Sequence, residues 1–244
     1  MNTIVQELIQ QEMKTQVIQF PGSKKEKRND SMIKTDGNPK AKPADPIRDK
    51  KYIKIIRDDL LERGKIRDYA LITLGLTLGI RGSDLLKLRV GDVWDGKFVK
   101  SEIIIIEKKT RKTNRLNIIE EAANALRLYI NERIKKEGSL DLTDYLFISR
   151  ETDINNNHRP ITIRQFNRIM EDQKKRHNIP GNISSHSLRK TFVYHLIRDE
   201  RTTASQLTTI QQMLNHSSFA VTLRYCGITD EEKVEMRTWL NDLF

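Results

Sequence analysis

One cysteine, Cys226, is all the thiol this chain of 244 residues carries. A single thiol excludes an internal disulfide framework and any zinc site built from several cysteines. The cytoplasm is then the default compartment. No run approaches the roughly 18 uninterrupted apolar residues that a membrane span needs, so no membrane partner is expected. The first twenty residues include Glu7 and Glu12 and lack a basic start followed by an apolar block. No secretory signal is read there. Apolar residues are scarce at 37 %, against 32 % charged. That is leaner than an average globular domain but too rich for wholesale disorder, and a chain of this length can bury a real core. No internal repeat is evident.

Positive charge is what the chain has in excess. Lys and Arg number 44 against 33 Asp and Glu, a formal net charge of +11. A polyanion, above all nucleic acid, is the partner such a balance implies. A basic soluble protein without that partner has the same composition.

Ile4, Leu8, Ile9, Met13, Val17 and Ile18 recur loosely at helical spacing, so residues 1–20 read as a short amphipathic helix or as a tail. Residues 21–44 hold Pro21, Gly22, Gly37, Pro39 and Pro43 with a basic cluster at Lys24, Lys25, Lys27 and Arg28, and read as a flexible linker. Asp45-Pro46 is a helix-start signal, an Asp cap followed by Pro at the first helical position. Gly64 should stop that helix. Residues 67–78 are apolar almost all round, which predicts a buried central helix ending at Gly79. Ser83 is placed to cap a third short helix carrying Leu85, Leu86 and Leu88. Four consecutive isoleucines, Ile103 to Ile106, predict a strand paired with residues 115–119 across a basic hairpin tip. Helical patterns resume at 120–136, 162–177, 185–199, 205–214 and 218–225. The expected fold class is α+β, mainly helical, with one small antiparallel β-sheet. The expected domain covers 45–225, followed by a tail, 226–244, with apolar Val234, Trp239, Leu240, Leu243 and Phe244.

A set of separated residues points to chemistry. Taken one at a time, Arg81, Lys109, His186, Arg189, His216 and Tyr225 each have an ordinary structural explanation. Together they are what metal-free attack on a phosphodiester needs. Arg81 and Arg189 offer planar forks of donors to non-bridging oxygens and neutralise charge in the transition state. His186 and His216 donate hydrogen bonds or move protons near neutral pH. His186 and Arg189 are three apart, so one helix face carries both. Tyr225 is a candidate nucleophile whose ionisation nearby cations favour. A lysine on the hairpin can protonate the leaving sugar oxygen. Lys108, Lys109 and Lys112 are all placed for it. No metal and no cofactor is called for.

In these blocks the chain resembles the tyrosine recombinases, also called phage integrases. Leu76-Thr77-Leu78-Gly79-Ile80-Arg81-Gly82-Ser83-Asp84-Leu85 is similar to the family's first-arginine box. Lys109-Thr110-Arg111-Lys112 sits where the family has its hairpin lysine, and His186-Ser187-Leu188-Arg189 matches its H-x-x-R box. Asn215-His216-Ser217-Ser218 and Thr222-Leu223-Arg224-Tyr225 match the terminal box, with His216 and Tyr225 nine apart. The resemblance runs over residues 46–230.

The resemblance implies site-specific recombination: DNA integration, excision or inversion. Tyr225 would form a 3′-phosphotyrosyl bond, Lys109 would act as general acid, and Arg81, Arg189 and His216 would hold the phosphate while His186 assists proton transfer. Lys108, Arg111, Lys112, Arg115 and Lys190 are the expected DNA-binding residues. The implied partners are double-stranded DNA, further copies of the chain in a tetramer on two DNA sites, and accessory DNA-bending proteins, in a nucleoid-associated cytoplasmic setting. The 226–244 tail would dock on a neighbouring subunit or pack on its own domain. A catalytically silent DNA-binding regulator of the same fold, and topoisomerase-like DNA relaxation, are the alternatives. Three departures stand out. Asn215 replaces the family's usual glycine, a position where Asn tolerates left-handed backbone. Arg189 and His216 are 27 residues apart, which suggests an insertion near 199–205. Residues 1–44 are too few for the family's helical core-binding domain.

Overall fold

The computed structural model describes residues 42–106, 113–152 and 158–214, with Thr222 and Thr238. Twelve elements are described in chain order: α1 (Lys50–Glu62), α2 (Ile66–Leu78), α3 (Gly82–Leu85), α4 (Val90–Val93), β1 (Glu102–Ile106), β2 (Thr113–Asn117), α5 (Glu120–Glu137), β3 (Ile148–Thr152), β4 (His158–Pro160), α6 (Ile163–His177), α7 (Ser185–Ile197) and α8 (Ala204–Met213). The predicted class, mainly helical α+β, holds. The expected helix over 218–225 and the tail lie outside the described residues apart from Thr222, which is fully buried, and Thr238. No helix among the described residues is long and apolar enough to cross a membrane.

Helix α2 is the axis of the domain. Tyr69, Ala70, Leu71, Ile72, Leu74 and Leu78 are all buried in it. Its apolar surface runs all round because α1, α5 and α7 pack on different sides of it. Each fully buried Leu or Ile contributes about 1.5–3 kcal/mol relative to exposure. Helix α7 packs against its glycines. A β-carbon on Gly75 would lie 2.6 Å from Leu188 Cδ1, and one on Gly79 would lie 2.3 Å from Phe192 Cδ1. Gly79 also ends α2 in the left-handed region, at φ 61°. Gly79→Ala combines that backbone strain with overpacking, and we expect it to cost about 2–4 kcal/mol. Gly64→Ala meets the same positive φ in open space and should cost only about 1 kcal/mol. Urea unfolding of the two variants checks the difference.

The first helix differs from expectation. It begins at Lys50, with Asp49 as its cap accepting from the Lys51 amide at 2.9 Å. Asp45 is taken by a tertiary contact instead. Its carboxylate accepts from the Asn182 amide at 2.8 Å, and its own amide donates to the Asn182 carbonyl at 2.8 Å. Ile47 is likewise latched to α7. Its amide donates to Thr191 Oγ1 at 2.8 Å, and its carbonyl lies 3.0 Å from His195 Nε2. The third helix starts at Gly82 with Arg81 at the cap position, so Ser83 lies inside it and does not cap it.

The isoleucine strand forms as expected. Ile103 and Ile105 face the core, while Ile104 and Ile106 face outward. Its partner lies two residues earlier than predicted, with Ile103 opposite Leu116 and Ile106 opposite Thr113. That register puts Leu116 on the buried face. A second antiparallel pair, β3 with β4, was not expected. Ile148 pairs with Pro160 and Thr152 with His158, with an irregularity between.

Helices α6 and α8 open on reciprocal caps, Thr162 with Gln165 and Thr203 with Gln206. Helix α8 builds a second small core on α7, with Val193, Ile197, Leu207, Ile210 and Leu214 buried together.

Candidate active site

The C-terminal end of α2, the start of α7 and the end of α8 meet around Arg189. This side chain is only 1 % exposed. Burying a guanidinium is costly unless its charge and donors are answered. Here one Nη donates to the Gly79 carbonyl at 3.0 Å and the other to the Leu214 carbonyl at 2.8 Å. Gly79 and Leu214 are the C-terminal caps of α2 and α8. Two helices therefore direct the negative ends of their dipoles, and carbonyls left over from their own hydrogen-bond ladders, at one cation. Gly79 admits the close approach because it has no side chain to collide with Phe192.

Arg81 follows two residues after that carbonyl. Its Nη1 lies 3.9 Å from Asp84 Oδ2, and Asp84 is buried. Helix α3 lies against the start of α7, and a β-carbon on Gly82 would stand 3.4 Å from Ser185. His186, one residue on, is half-buried. Its pKa is lowered by burial first and then by the charges of Arg189, Lys190 and Arg81. Three cations separated by up to about a hundred positions thus act on one imidazole. The arrangement attracts an oxyanion with several oxygens.

That field carries a measurable consequence. A depressed histidine pKa means the folded protein favours neutral His186. Its contribution to stability is undiminished above the ordinary histidine pKa of about 6.5, and it declines as pH falls from there toward the lower folded value. We expect the His186 ring resonances to titrate below the ordinary midpoint, and the midpoint to rise when duplex DNA places phosphate among the cations. A midpoint at or above the ordinary value would show that the cations do not converge.

The start of α7 is held from both sides. Ser184 and Ser187 form a reciprocal cap, and the Ser185 amide donates to Asn167 Oδ1 of α6 at 3.0 Å. Of the other sequence-predicted residues, Arg115 is exposed on β2 and pairs with Glu102 at 3.3 Å. Lys190 lies beside His186 on α7. Lys108, Lys109, Arg111, Lys112, His216 and Tyr225 lie outside the described residues. Sequence reasoning gave no role to Asp84. An acid one helical turn after Arg81 was the available signal.

A different cluster could be taken for a metal centre. Ligand atoms of Glu137, Asp144 and His158 lie within 4.8 Å of one another. Arg133 already occupies it, bridging Glu137 at 2.8 Å and Asp144 at 3.5 Å. A fixed buried cation there opposes a second one. The neighbouring cavity of about 420 Å³ is lined by Arg67, Tyr129 and Arg133. It sits at the N-terminal end of α2, some 20 Å of helix away from Gly79.

The phage integrase family profile matches residues 47–232. A probable integrase/recombinase, YoeC of Bacillus subtilis (strain 168), is 32 % identical over 186 residues, covering 76 % of this chain and 91 % of that protein. Tyrosine recombinase XerC of Thermodesulfovibrio yellowstonii is 32 % identical over 174 residues, 70 % of this chain and 53 % of that protein. The chain spans about half the length of the XerC relatives it matches. Among solved structures, XerA recombinase is 26 % identical with a TM-score of 0.59, covering 82 % of this chain and 65 % of that one. XerH site-specific recombinase, solved with its DNA substrate after cleavage, has a TM-score of 0.60 at 17 % identity, covering 82 % of this chain and 54 % of that one.

Proposed function

Because this chain belongs to the phage integrase family, we propose that it is a tyrosine-type site-specific DNA recombinase. Tyr225 Oη attacks a phosphorus of duplex DNA. The bond from phosphorus to O5′ breaks, a 3′-phosphotyrosyl bond forms, and Lys109 gives its proton to the departing O5′. Arg81, Arg189 and His216 hold the phosphate, and His186 moves protons beside them. The new ester keeps the energy of the broken one. A 5′-hydroxyl then attacks it, displaces Tyr225 and reseals the strand without ATP. Lys108, Arg111, Lys112, Arg115 and Lys190 bind the DNA backbone. Four copies on two DNA sites complete the exchange, with accessory DNA-bending proteins, in the cytoplasm at the nucleoid.

One observation carries this reading: buried Arg189 bridges the Gly79 and Leu214 carbonyls, with Arg81 two residues beyond Gly79 and His186 one turn before Arg189 on the same helix. It is supported by XerH, whose structure holds cleaved substrate. The test uses a nicked suicide duplex in chelator and without ATP. A covalent protein–DNA adduct is expected. DNA binding with no adduct on any duplex bearing paired inverted repeats would make the protein a regulator. Relaxation of supercoiled DNA without exchange between duplexes would make it a topoisomerase-like enzyme.

A further inference from the structure

Asn114, on β2, reaches across 99 positions of sequence. Its side-chain Nδ2 donates to the Met213 carbonyl at 3.1 Å. Met213 is the last residue of α8, and the next carbonyl along, that of Leu214, is the one Arg189 uses. A helix leaves its final carbonyls without partners in the helix, and its last turn frays readily. Here two consecutive carbonyls are taken by two different elements. Arg189 spans from the end of α2 to the end of α8. The plane of its guanidinium is therefore set by where the last turn of α8 stands. From the β1–β2 pair, Asn114 reaches that turn with its side chain.

We propose that Asn114 is a positioning residue for phosphate binding: by pinning the end of α8, it fixes the carbonyl that orients Arg189. The inference rests on the recombinase reading above. Loss of the pin lets the Leu214 carbonyl drift, and Arg189 then meets the phosphate at the wrong angle. No step of the chemistry passes through Asn114 itself.

The test compares three duplexes of one sequence in single-turnover cleavage by the full chain. One is an ordinary phosphodiester. One carries a methylphosphonate at the scissile position, which removes a negative oxygen and lessens the need for a guanidinium. One carries sulfur at the 5′-bridging position, which leaves without a proton. Asn114→Ala and the isosteric Asn114→Asp, which lacks the donor, are expected to cleave the phosphodiester about tenfold more slowly. The defect should shrink to within about twofold on the methylphosphonate and persist on the sulfur substrate. DNA affinity of Asn114→Ala should be unchanged; Asn114→Asp adds a negative charge beside Arg115 and is read only through its ratio between substrates. An equal defect on all three substrates, a defect relieved by sulfur, or no defect at all would each overturn the proposal. Absence of any adduct from the unmodified protein would instead overturn the recombinase reading beneath it.

Discussion

Tyr225→Phe is expected to abolish covalent capture of DNA entirely while leaving DNA binding intact. The substitution removes one oxygen, the atom that would attack phosphorus. No other group can replace a nucleophile that must also stay attached to the cleaved strand. A phenol with an ordinary pKa of about 10 is a weak nucleophile at neutral pH. In the proposed mechanism its use depends on nearby cations that favour the phenolate. Denaturing gels of a suicide-substrate reaction read the adduct directly. Filter binding or mobility shift of the same mixtures reads affinity. Persistent adduct in Tyr225→Phe would place the nucleophile elsewhere.

The second large effect concerns Arg189. Arg189→Lys keeps the charge but loses the planar fork. A single ammonium on a flexible stem cannot serve both the Gly79 and Leu214 carbonyls, which the native side chain bridges at 3.0 and 2.8 Å. We expect cleavage to fall about 10²–10³-fold, the scale seen when one donor to a transition-state oxyanion is removed. Stability should fall by about 1–3 kcal/mol from the unanswered carbonyl. Single-turnover cleavage and urea unfolding separate the two losses. Cleavage within threefold of the unmodified protein would remove Arg189 from phosphate binding and leave it as a structural clamp.

Much of the junction is legible in the sequence. Gly79 followed by Arg81 announced a helix end with a cation just beyond it. His186 and Arg189 announced a shared helix face, and both readings hold in space. The central helix was legible because its apolar residues fill every side of it. What was missed had no periodic signal. Strand β3 has one apolar residue, Ile148, followed by Ser149, Arg150, Glu151 and Thr152. Its pairing follows from the chain reversal and not from alternation. Asp45 carries a helix-start signal that a distant Asn182 outcompetes, because a backbone amide and carbonyl from the turn before α7 both meet it. Asn114 was invisible for the same reason. A side-chain amide bonded to a main-chain carbonyl on another helix places no demand on residue identity at the far end.

The latch formed by Asp45 and Ile47 on Asn182, Thr191 and His195 has a mechanical meaning. The chain enters the domain docked on the same helix that carries His186 and Arg189. Any pull exerted on residue 42 from upstream is delivered to the Asn182 turn that leads into α7 and then, through Ile47, to α7 itself. Grip at one end and reactivity at the other therefore share a single rod.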